Sequence, residues 1–182
     1  MADVEEILTF WFEGDPGLKR EKWFQGGPAF DAECRRFLPD WEAARAGERD
    51  SWLEAPGSLL AYVLLTDQFP RNLFREDGRA YATDDRALAA ARHAVAAGWD
   101  DDMGLHERAF LYLPFEHAED QAAQAESVRL YAGLGDAEYL KYAEVHRDIV
   151  QEFGRFPHRN AVLGRASTPA EDAFLKEKGR GF

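Results

Sequence analysis

An all-α fold is predicted by three features of the sequence. Every well-formed apolar pattern has the helical period, capping signals stand ahead of those patterns, and no stretch alternates with period two over a useful length. The first helix starts at Asp3, with Glu6 completing a capping box; Ile7, Leu8, Phe10 and Trp11 form its apolar face and Gly14 suits its stop. Residues 23–27 read as a loop anchored by Trp23. Pro28 fits the first position of the next helix, whose face is Phe30, Cys34, Phe37 and Trp41. Pro39 interrupts that run and should kink or divide it, and Gly47 ends it. Pro56 opens the most apolar segment, 57–68, expected to be central and to stop near Gln68 because Pro70 disfavours helix at the residue before it. Thr83 is placed to cap 84–97, with Asp84 and Asp85 at the positive end of the helix dipole and Gly98 closing it. A helix over 105–113 is followed by Pro114 and a long helix to about Leu134, closed by Gly135. Asp136 caps 137–153, Gly154 ends it, and Thr168, Pro169 and Glu171 start a last helix to about Lys178. That makes seven or eight helices without significant sheet, in a single domain over 1–182, with short loops pairing neighbours antiparallel.

Composition narrows the function classes. With 46% hydrophobic residues the chain can build a core, and about 70% of its extended surface is available for burial at this mass. Its 22 basic against 34 acidic residues give −12, which repels nucleic-acid phosphates and anionic membrane surfaces, so neither is an expected partner. The longest apolar run, Leu59 to Leu65, is seven residues, too short for a membrane span. Cys34 is alone, which excludes an internal disulfide, and Asp3, Glu5 and Glu6 stand where a secretory signal needs positive charge; a cytoplasmic protein is expected.

The candidate chemistry gathers in two similar segments, Phe69-Pro70-Arg71-Asn72 and Phe156-Pro157-His158-Arg159-Asn160, each following a helix end. Arginine offers a planar fork suited to carboxylate or phosphate, and asparagine donates or accepts beside it. From His146 to Arg165 the charge is +2, with Arg147, Arg155, Arg159 and Arg165 against Asp148 and Glu152, in a chain that is otherwise acidic. That is a sensible anion site. The competing reading is that these arginines pair with Asp67, Glu116, Glu119 or Asp120 and staple helix ends. His146 faces inward with Ala143 and Ile149, His117 begins the stretch leading to Gln121 and Gln124, and His158 lies in the Arg-rich loop. His117 and His158 are the candidate acid–base residues. Histidines beside Glu116, Glu119 and Asp120 are metal-ligand types, but there is no HExxH and the ligands would come from separate elements, so no metal centre and no cofactor are expected. Cys34 lies on an apolar face and reads as core, Ser167 and Thr168 read as caps, and no G-x-S-x-G or Gly-rich phosphate loop occurs. The five tryptophans read as packing anchors.

The strings FWF at 10–12, TDQFPRN at 66–72, ERAFLYLPFEHAEDQ at 107–121 and FGRFPHRNAVLGRAST at 153–168 resemble a bacterial family of unknown function, number 924, over about residues 4–177. The resemblance implies a tetratricopeptide-like stack of antiparallel helix pairs, although the W-x₂-L-G-x₂-Y repeat pattern itself does not occur here. It supplies no catalytic residues. Thr66 departs from the family, which usually has leucine there.

The expected function is a polar site built from Asp67, Arg71, Asn72, His117, Glu119, His146, Arg155, His158, Arg159 and Asn160, binding a small anionic or polar ligand. The alternative is a protein-interaction scaffold, with a protein partner, in which both Arg-Asn motifs are structural staples.

Overall fold

The computed structural model describes residues 1–178, and among them the fold is all-α, with no strand. No helix of the described residues is long and apolar enough to cross a membrane. The chain forms two compact units: Met1–Arg75 with Arg79–Pro114, and Glu76–Gly78 with Phe115 onward.

The first unit carries α1 (Val4–Phe12), α2 (Lys22–Gln25), α3 (Pro28–Cys34), α4 (Leu38–Ala46), α5 (Pro56–Val63), α6 (Phe69–Leu73), α7 (Asp84–Ala96) and most of α8 (Leu105–His117). Asp3 accepts from the Glu6 amide at 2.8 Å, the expected cap. Pro39 divides its run as expected: a 3₁₀ turn over Arg35–Phe37 separates α3 from α4. Phe30, Cys34, Phe37 and Trp41 are all buried, and so are Trp11 and Trp23. Trp11 meets Phe30, Phe69 and Phe110 at ring distances of 5.8, 5.2 and 5.3 Å, and its carbonyl accepts from Trp23 Nε1 at 2.8 Å. Burial holds the Cys34 thiol up at about 12, so it behaves as a core residue.

The helix from Pro56 does not stop at Gln68. It widens into a π turn over Leu64–Gln68 and continues as α6 through Pro70 to Leu73. In a regular α-helix the Pro70 ring would crowd the Thr66 carbonyl and offer it no N–H. The wider turn relieves the crowding: the Phe69 amide reaches back five residues to the Leu64 carbonyl. The Thr66 carbonyl accepts instead from Thr83 Oγ1 at 2.6 Å, and Thr83 Oγ1 accepts from Trp41 Nε1 at 3.2 Å. Thr83 therefore occupies the N-cap position of α7 without capping it through its side chain, contrary to the sequence expectation. The Thr66 hydroxyl donates to the Tyr62 carbonyl at 2.7 Å, which is how a polar residue fits where leucine is usual.

The second unit contains the end of α8, α9 (Gln121–Leu134), α10 (Ala137–Phe153) and α11 (Pro169–Lys178). The expected break at Pro114 and the single helix from there to Leu134 are both corrected. α8 runs through Pro114, which lies within its last turn. The break falls instead after His117, because Asp120 turns extended and accepts from the Ala123 amide at 2.8 Å to cap α9. Two residues, Gly135 in the left-handed region and Asp136 as the next cap, join α9 to α10, which pack together with Tyr131 stacked on Tyr139 at 6.0 Å. The reciprocal box of Thr168 and Glu171 opens α11, at 2.7 and 3.2 Å, and Phe174 of α11 meets Phe153 at 5.1 Å.

Thr83→Val keeps the shape but leaves the Thr66 carbonyl and Trp41 Nε1 buried without partners. Unfolding in urea should lose about 2–4 kcal/mol with an unchanged slope. Thr83→Ser, which keeps the hydroxyl, should recover most of that loss.

Candidate functional site

Of the ten residues singled out in the sequence, Asp67, Arg71 and Asn72 belong to the first unit and the other seven to the second. In the first unit Arg71 grips both oxygens of Asp84, at 3.1 Å each, and reaches the buried Asp67 carboxylate at 3.4 Å and its carbonyl. Burial opposes the Arg71 charge, and Asp67 and Asp84 more than offset it, raising its pKa above the ordinary value. Gln68 Nε2 donates to Asp67 Oδ2 at 2.5 Å, and Asn72 Nδ2 donates to the Gln68 carbonyl at 3.2 Å. This motif holds the π turn to the start of α7.

In the second unit the loop after α10 is tied by two further forks. Arg155 grips Glu171 at 2.6 and 2.9 Å, and Arg165 grips Glu119 at 2.6 and 2.9 Å. Glu119 also accepts from the Phe156 amide at 2.8 Å; burial alone would raise its pKa, but Arg165, Phe156 and Arg159 bring it below the usual value. Asn160 donates to Ser167 Oγ at 3.0 Å and accepts from Arg165 Nε at 3.0 Å.

Beside these staples lies a cluster of a different kind. The C-terminal carbonyls of α8 run short of backbone amide donors, and side chains supplement them. Gln124 Nε2 donates to the carbonyls of Glu116 and Ala118 at 2.6 and 2.8 Å, with Phe115 at 3.4 Å, and Arg159 donates to that of His117 at 2.9 Å. The Glu116 and His117 backbone is thereby held in place. From α10, His146 brings Nδ1 to 2.8 Å from the Tyr142 carbonyl and 3.1 Å from Glu116 Oε1. Both neighbours are acceptors, so Nδ1 is the nitrogen suited to carry the proton of the neutral ring. Burial, joined by His117, Arg159 and His158, lowers the His146 pKa to about 3 against the pull of Tyr142, so the ring is neutral at ordinary pH. The rings of His117 and His146 stand 6.1 Å apart. Phe156 meets His146 at 5.5 Å and His158 at 5.8 Å, and the Arg159 guanidinium lies over it at 4.5 Å. One donor atom from each of Glu116, His117 and His146 lies within 4.8 Å of the other two.

Sequence reasoning placed His117, His146, His158 and Arg159 among the candidates and named Glu116 both as an ion-pair partner and as a metal-ligand type, without including it in the site. Its position directly before His117, at the C-terminal end of the same helix, was the available signal. Gln124 was noted only as a helix-face residue, and Arg165 only as one charge among four.

The fold and these clusters define an all-helical protein with tightly paired arginines and a histidine–carboxylate group. The family described as "Bacterial protein of unknown function (DUF924)" matches residues 7–179, and the chain belongs to that family. Among solved structures it is similar to "Protein of Unknown Function ATU0120 from Agrobacterium tumefaciens", at 46% identity and a TM-score of 0.88 over 96% of this chain and 97% of that one. No curated protein matches the chain.

Glu171 is buried, and its pKa is held at about 2, against an ordinary 4.5, mainly by the Arg155 fork with help from Thr168 and Asn160. A lowered carboxyl pKa contributes stability above about pH 4.5 that is lost as the pH falls toward 2. Thermal midpoints across that range should fall more steeply for the wild type than for Glu171→Gln, and the variant should be the less stable at pH 7. Equal slopes would mean that the Arg155–Glu171 pair contributes nothing.

Proposed function

We propose that the second unit binds a small anionic ligand through His117, His158 and Arg159, and that the Arg-Asn motifs around it serve as staples. The observation that carries this reading is the grouping at Phe156: a buried guanidinium lies on the ring, the same guanidinium holds the His117 carbonyl, and His146 and His158 adjoin the same ring. Arg159 places a positive charge in this group, beside the neutral His146 ring, in a chain of −12. His117 and His158 are both only partly buried, as residues that meet a ligand must be.

The staple half of the alternative reading has direct support, since the forks of Arg71, Arg155 and Arg165 all close on carboxylates. These pairs narrow the ligand site to the histidines and Arg159 and leave Asp67, Arg71, Asn72, Glu119, Arg155 and Asn160 with structural work. A cytoplasmic setting agrees with a single, buried cysteine thiol, which needs no oxidising compartment.

Thermal melts of metal-stripped wild type and Arg159→Ala, each with and without inorganic phosphate, test the reading. Phosphate that binds only the folded wild type should raise its midpoint with concentration, and the Arg159→Ala midpoint should stay flat. An unresponsive wild type, or equal rises in both proteins, overturns it.

A further inference from the structure

We propose that Glu116, His117 and His146 form a binding site for a divalent transition-metal ion, zinc being the best match. The inference goes beyond anion binding and shares only His117 with that reading. Two donors bound to one tetrahedral ion at 2.0–2.2 Å lie about 3.3–3.6 Å apart. The three donors here lie no more than 4.8 Å from one another, so closing on an ion requires side-chain movements of about 1 Å, without displacing a helix. Imidazole nitrogen with a single carboxylate oxygen suits zinc and its transition-metal neighbours and does not suit calcium or magnesium, which take mostly oxygen. Two histidines and a glutamate are also a donor set that leaves a fourth position for water or a ligand.

The support around the donors is of the kind that metal sites require. The Tyr142 carbonyl, 2.8 Å from His146 Nδ1, fixes the ring, and Glu116 Oε1 stands at that same nitrogen at 3.1 Å. Gln124 and Arg159 hold the backbone of Glu116 and His117 from the next helix and the next loop. Glu116 and His146 are buried, whereas His117 is half-buried and gives the site an opening to solvent.

The surrounding charge specifies the fourth ligand. Glu116 supplies one negative charge, Arg159 stands close by, and Glu119 is gripped by Arg165. A doubly charged ion in such a site is left with surplus positive charge, which an anionic oxygen at the open position would neutralise.

The test uses the full-length protein, stripped with a chelator and dialysed into phosphate-free buffer. Titration calorimetry with zinc chloride should give one saturable site per chain. His117→Ala, a half-buried position, and Glu116→Gln should each weaken binding about 100-fold, with circular dichroism confirming their folds. His93→Ala, at an exposed histidine of α7, should bind as wild type does. Cobalt in place of zinc should give the intense visible bands of a four-coordinate ion. No saturable zinc binding by the stripped wild type, wild-type affinity in both His117→Ala and Glu116→Gln (an adventitious ion only), or the pale spectrum of hydrated cobalt would each overturn the proposal. A phosphate response without zinc binding sinks this inference alone, and zinc binding without a phosphate response sinks only the anion reading.

Discussion

A carbonyl buried without a donor is one of the costlier defects a folded chain can hold, and both units are arranged around carbonyls that the helical ladder cannot serve. In the first unit the proline at position 70 strips the Thr66 carbonyl of its amide, and a threonine from the start of α7 supplies the missing donor. In the second unit the end of α8 leaves a row of carbonyls that Gln124 and Arg159 cover between them. Each repair draws a distant segment into contact: residue 83 to residue 66, and residue 159 to residue 117. The long-range order of each unit is thus tied to the places where its helices are locally imperfect.

This arrangement also separates the polar residues by task. The bidentate arginine pairs sit at helix and loop ends, where they fix geometry with two parallel bonds each. The histidines sit where α8 stops and along the inner face of α10, beside groups that hold the backbone still. Side chains held by a rigid surround are the ones suited to meeting something other than protein. Their chemistry follows from the donors themselves: two imidazoles, one carboxylate and a nearby guanidinium.

Much of the fold was legible because its signals are local. The Asp3, Asp136 and Thr168–Glu171 caps, the glycines at 135 and 154, and the division at Pro39 all depend on residues within a turn of one another. The same locality misled at Pro70 and Pro114. A proline's missing N–H is visible in sequence, but the donor that compensates for it, 17 residues along at Thr83, is not. Thr83 looks like a helix cap for the same reason: its position fits, and only the tertiary contact shows that its hydroxyl is engaged elsewhere. In the site, the inward face of His146 followed from its spacing, whereas the partners of Arg155 and Arg165 lie 16 and 46 residues away and no spacing reveals them.

The π turn at 64–68 has a bearing on how the chain's periodicity should be read. A five-residue closure slips one extra residue into the winding, and each added residue rotates all that follow by about 100° about the helix axis. The stripe of Leu59, Leu60 and Val63 and the stripe beginning at Phe69 are therefore out of phase, although both are buried. A single helical wheel drawn across 56–73 would misplace the later residues by roughly a quarter of a turn. Phe69 faces the aromatic cluster, and Arg71 faces Asp84, only because the phase is reset between the two segments.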